Sequence, residues 1–94
     1  MPYRVTFTVK EAKGKHPCQI YKVGDKITFE GSEIVKEKTD GLCVYALASM
    51  IPYVTALVRD TPKSDWINHK TLIQCPDPLP PIRTVTFQID REPI

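Results

Sequence analysis

The sequence predicts an α+β fold. One small domain runs in the order β-β-α-β-β, with a mostly antiparallel sheet and one Pro-kinked apolar helix packed on a face. Three observations predict it. Residues near both ends of the chain alternate apolar and polar side chains with a period of two. The middle of the chain, from Gly41 to Val58, carries no charged side chain. The chain has 94 residues, enough for one core and too few for two, so residues 1–94 form a single domain.

The first strand is Tyr3-Arg-Val-Thr-Phe-Thr-Val-Lys10, with apolar side chains at 3, 5, 7 and 9. Its β-branched and aromatic residues suit a strand with one buried face. Lys13 to Cys18 is a loop punctuated by Gly14 and Pro17. Tyr21 to Lys26 reads as a turn, with Gly24 free to take a positive φ. Lys26 to Glu30 alternates again as a second strand, which Gly31-Ser32 ends.

Ser32 to Lys38 is polar, with Ile34 and Val35 expected to touch the core. Asp40 is the expected helix N-cap, its carboxylate facing the amides of Leu42 and Cys43, and Thr39 is the alternative. Pro52 removes a backbone donor and disfavours helical geometry at Ile51. A kink or break is expected there, followed by a further turn or two from Tyr53 to Arg59.

Asp60 to Asp65 is a surface loop that Trp66 and Ile67 are expected to pin by apolar burial. Lys70 to Cys75 is a third strand. Pro76 to Pro81 is an extended, polyproline-like connector, although Pro78 to Arg83 also matches a Pro-x-x-Pro-x-Arg peptide motif. Thr84 to Asp90 is the last strand. Its Val-Thr-Phe-Gln-Ile echoes Val5-Thr-Phe-Thr-Val9, as expected of two strands lining one core.

Composition narrows the function classes. Hydrophobic content of 41% and charged content of 26% suit an ordinary soluble globular domain. A net charge of +2 is too small an imbalance to imply a nucleic-acid partner or an anionic membrane surface. The apolar run from Leu42 to Val58 falls short of the roughly 20 residues a membrane span needs. The N-terminus has no basic segment leading into an apolar one, so the expected location is cytoplasmic, with reduced thiols.

The three cysteines carry the chemical question. As the third helical residue after an Asp40 cap, Cys43 would sit at the positive end of the helix dipole, which favours thiolate. As a small hydrophobe it would equally suit the core. Cys18 and Cys75 sit beside prolines at loop and strand-end positions. Convergence of Cys18, Cys43 and Cys75 would make a three-thiolate metal or redox site, holding zinc or an iron–sulfur cluster. His16 and His69 are candidate additional ligands, and Asp77 is a candidate acceptor behind a ligand. No Cys-x-x-Cys pair is present, the four glycines make no phosphate loop, and no acid–base pair stands out among Asp25, Asp40 and Asp77. A second reading keeps the cysteines structural and makes the chain a small homo-oligomeric binding or assembly module, its apolar helix larger than one sheet can cover.

Four segments carry a resemblance: Cys18-Gln-Ile-Tyr-Lys-Val-Gly-Asp25, Lys38-Thr-Asp-Gly-Leu-Cys-Val-Tyr-Ala-Leu47, Pro52-Tyr53 with Ala56-Leu57, and Gln74-Cys-Pro-Asp-Pro78. Together they resemble a family of small microbial proteins of about this length and of uncharacterised function. The similarity spans nearly the whole chain. The family pattern has cysteines at the places of Cys18, Cys43 and Cys75, often with a glycine shortly before the first, where this chain has His16-Pro17. The resemblance implies no reaction, but it favours the three cysteines acting together.

Overall fold

The computed structural model describes residues 3–14, 21–74 and 83–94. Five strands form one sheet: β1 (Tyr3–Gly14), β2 (Lys26–Glu30), β3 (Glu33–Ile34), β4 (Leu72–Gln74) and β5 (Arg83–Pro93). Their spatial order is β3-β2-β1-β5-β4, and each neighbouring pair is antiparallel. The single α-helix, α1, spans Val44–Leu57. The α+β class and the strand–strand–helix–strand–strand order are as the sequence predicts, with β3 as a two-residue addition. The expected polyproline connector and Pro-x-x-Pro motif, apart from Arg83, lie outside the described residues.

The first and last strands are the two central ones. Phe7 pairs with Ile89 and Val9 with Phe87, so the two similar pentapeptides lie side by side. Val5, Phe7, Val9, Val85, Phe87 and Ile89 are all buried. Both strands run longer than their alternation suggested. The register shifts between Val9 and Glu11, a bulge that lets the ladder continue to Gly14 and Arg83. The turn that Gly24 permits, at a φ of 97°, docks beside that bulge. The Gly24 amide donates to the Val9 carbonyl, and the Val9 amide donates to the Asp25 carbonyl.

α1 lies across the apolar face. Ala46, Met50 and Leu57 are buried against Phe7, Ile27, Phe87 and their neighbours. The helix runs through Pro52 without a break. The physical reason is position. Pro52 and Ala48 both face solvent, so the carbonyl left without a helical donor can meet water, while Met50 and Leu57 anchor the turns on either side. The outward residues Val44, Tyr45, Ala48, Ile51, Pro52 and Thr55 are exposed, and none is charged.

The opposite face of the sheet is polar. Arg4 bridges Glu30 on β2 and Glu92 on β5, and those hydrogen bonds, Glu30's first, push its guanidinium above its usual range. Thr28 is the buried polar residue on β2, at 1% exposure. Its hydroxyl donates to the Lys38 carbonyl, and its amide donates to the Thr39 hydroxyl. The 3-10 turn over Lys36–Lys38 is thereby strapped to β2.

A second 3-10 turn, Trp66–His69, is capped by the Asp65 carboxylate, which accepts from the Ile67 amide at 2.9 Å. Ile67 is buried as expected, but Trp66 is 63% exposed. Trp66 instead makes an edge-on contact with Tyr53, with ring centroids 6.1 Å apart. The pin is therefore Ile67 alone, because a four-residue 3-10 turn turns adjacent side chains in different directions.

Candidate functional site

Cys43 lies where the loop after Thr39 becomes α1. Its backbone is extended, at φ −108° and ψ 127°, and it is the N-cap residue rather than the third residue of the helix. The expectation of Asp40 as N-cap is thus corrected. The Asp40 carboxylate accepts from the Lys26 amide at 2.8 Å, and the Asp40 amide donates to the Lys26 carbonyl. Both groups fix the start of β2, so the carboxylate is not available to the helix. Helical bonding begins with the Leu47 amide donating to the Cys43 carbonyl at 2.9 Å.

Tyr21 takes the organising role that Asp40 was expected to fill. It is 3% exposed, and its ring packs edge-on against Phe87 with centroids 5.3 Å apart. Its hydroxyl accepts from the Cys43 amide at 3.0 Å and donates to the Gly41 carbonyl at 3.0 Å. One phenol thus holds the backbone on both sides of Leu42 and sets where the Cys43 side chain leaves the chain. Its one signal is a tyrosine just before a Gly-Asp turn, which reads equally as a solvated loop residue.

The Cys43 side chain is half-buried as a free thiol and packs against the core. Cys18, Cys75, His16 and Asp77 lie outside the described residues. His69 is exposed and ends the Trp66–His69 turn. That turn packs beside Tyr53, and its Asn68 meets Arg91 near Leu57 in the C-terminal half of α1. Cys43 opens the other end of that helix. Among the described residues, no three His, Cys, Asp or Glu side chains gather as a metal-ligand group.

The ends of the segments that carry the other two cysteines are described. β1 ends at Gly14, opposite Arg83, and Tyr21 opens the next described segment. β4 ends at Gln74, opposite Thr86. These strand ends lie at one end of the sheet. Phe87, which the Tyr21 ring touches, pairs with Val9 on one side and with Ile73 on the other. The residue three places after Cys18, the residue two places before Cys75 and the Cys43 amide therefore meet around Tyr21 and Phe87.

The far end of α1 has a second organising residue that sequence reasoning missed. The Arg91 guanidinium donates to the carbonyls of Leu57 and Arg59, each at 2.8 Å, and to the Asn68 amide oxygen at 3.1 Å. It lies 4.4 Å from the centre of the Tyr3 ring. A cation at a helix C-terminus satisfies carbonyls the helix leaves free and suits the dipole.

No family model, curated protein or solved structure matches the chain. No helix among the described residues is long and apolar enough to cross a membrane.

Proposed function

We propose that the chain is a cysteine-based accessory protein, associated with a metal or iron–sulfur centre or acting as a thiol redox protein, with Cys18, Cys43 and Cys75 as its working groups. The observation that carries this reading is the meeting at Tyr21 and Phe87 of described residues close in sequence to all three cysteines. Three thiolates are the donor chemistry of zinc and iron–sulfur sites, and a half-buried free thiol such as Cys43 suits either a ligand or a reactive group. The resemblance to a family with cysteines at these three places points the same way.

The experiment is anaerobic purification followed by metal analysis and native-state thiol alkylation. Stoichiometric zinc or iron, or cysteines that alkylate readily in the folded protein, is the expected result. A metal-free protein whose thiols resist alkylation until it unfolds overturns the reading.

A second reading, a small homo-oligomeric assembly module without catalysis, is favoured by the outward face of α1. Val44, Tyr45, Ala48 and Pro52 are exposed on it, and Leu42 stands exposed beside it. A two-fold contact sets the same patch against itself, and an uncharged patch meets its copy without like-charge repulsion. A helix of 14 residues offers a face about 21 Å long, modest against the roughly 800 Å² per partner of a stable interface. The pairing is accordingly expected to be weak and concentration-dependent. Sedimentation across a concentration series tests it, and a strictly monomeric protein at high concentration contradicts it.

A further inference from the structure

We propose that the groove between α1 and the β2–β3 hairpin binds a medium-chain acyl carboxylate. The groove has a volume of about 410 Å³, within the range of small-molecule sites. Phe29, Ile34, Leu47, Ile51 and Val54 supply its apolar wall. Along α1 the lining runs from Leu47 to Arg59, about 18 Å at the helical rise, which is room for an extended alkyl chain.

Arg59 decides the class of ligand. It is the one ionisable residue among those lining the groove, and it stands just beyond the C-terminal end of α1. Its Nε donates to the Thr55 carbonyl at 2.9 Å, which fixes the plane of the guanidinium. Among the described residues no carboxylate pairs with its terminal nitrogens. The Glu30 carboxylate on β2 is held by Arg4, and Asp60 has a partner of its own. An apolar trough with one oriented guanidinium at its end complements an alkyl chain with one anionic head, and a guanidinium can take a carboxylate through two parallel hydrogen bonds. This groove is separate from the cysteine end of the sheet and does not depend on the thiol reading.

The test is an amide-resolved NMR titration of the full chain with sodium decanoate, alongside decanol and hexanoate. Decanoate is expected to give saturable one-to-one shifts at Gly31, Ile51, Val54 and Arg59. Each methylene removed should weaken binding by up to about fourfold. Decanol should bind about tenfold more weakly than decanoate, and Arg59→Gln should cost decanoate about tenfold while leaving decanol unchanged. Ile51→Ser, at an exposed position that folding does not need, should weaken both ligands. Equal binding of decanol and decanoate overturns the proposal, as does an Arg59→Gln variant with full decanoate affinity. Shifts of the same residues on concentrating the protein without ligand also overturn it, because a second copy would then be the occupant.

Discussion

The Tyr21 hydroxyl accepts from the Cys43 amide at 3.0 Å, joining the turn before β2 to the N-cap of the central helix. Because the same hydroxyl donates to Gly41, the conformation at Cys43 is set from outside the helix. The Tyr21 ring lies against Phe87, so the sheet, the turn and the helix start share one contact. This makes Tyr21 the residue through which stability and thiol behaviour should be coupled.

Tyr21→Phe keeps the ring and removes the hydroxyl. It should cost about 1–3 kcal/mol, the net worth of two hydrogen bonds whose partners are partly buried. Urea unfolding should show a lower midpoint with an unchanged slope. Alkylation of Cys43 in the native protein should become faster, because the loop that presents it loses its tether. An unchanged midpoint together with an unchanged Cys43 rate would remove Tyr21 from the account.

Arg91→Ala should be more damaging. It strips donors from Leu57, Arg59 and Asn68 and a cation from the Tyr3 ring. A loss of about 2 kcal/mol is expected, since hydrogen bonds from charged groups are stronger than neutral ones. In a domain of this size that lowers the melting temperature by roughly 10 °C. Arg91→Lys should recover only part of it, because an ammonium cannot span three acceptors held by a planar fork. Thermal melts of the two variants beside the parent protein check both statements.

Gly24→Ala should destabilise although a methyl group there meets nothing within 4 Å. The cost is conformational, because a φ of 97° is a region that side chains other than glycine rarely adopt. On the order of 1 kcal/mol is expected from chemical denaturation. A neutral or stabilising effect would mean that the turn relaxes to another geometry.

Val44→Asp separates the two functional readings. Val44 is 71% exposed in the first turn of α1, where a carboxylate suits the helix dipole, so monomer stability should change by less than about 0.5 kcal/mol. If α1 pairs with a second copy, the charge should abolish the concentration dependence seen in sedimentation. Metal content should not change.

Much of the fold was legible because its signals are local. The alternation of Val5, Phe7 and Val9, and of Val85, Phe87 and Ile89, marked the two buried central strands, and Gly24 marked its own turn. The helix start was not legible. A Thr-Asp-Gly sequence fits an N-cap by propensity, but a tertiary contact spends the Asp40 carboxylate on Lys26 and moves the start to Val44. At Pro52 the helix continues rather than breaks, since whether a proline breaks a helix depends on which carbonyl it leaves unpaired and whether water can reach it. Tyr21 and Arg91 act across 22 and 34 residues of sequence, and no local pattern announces contacts of that range. Of the candidate site, Cys43 was legible as a residue at the helix start, while its half-buried setting and its tie to Tyr21 came only with the fold.

The central claim is that Cys18, Cys43 and Cys75 act as one unit, and mass-resolved native alkylation with and without zinc tests it most directly. All three cysteines should become protected together at about one zinc per chain, or a mild oxidant should couple two of them. Cys43→Ser should abolish the protection of the other two. Three cysteines that alkylate independently, unchanged by zinc, by oxidant or by loss of Cys43, would contradict it.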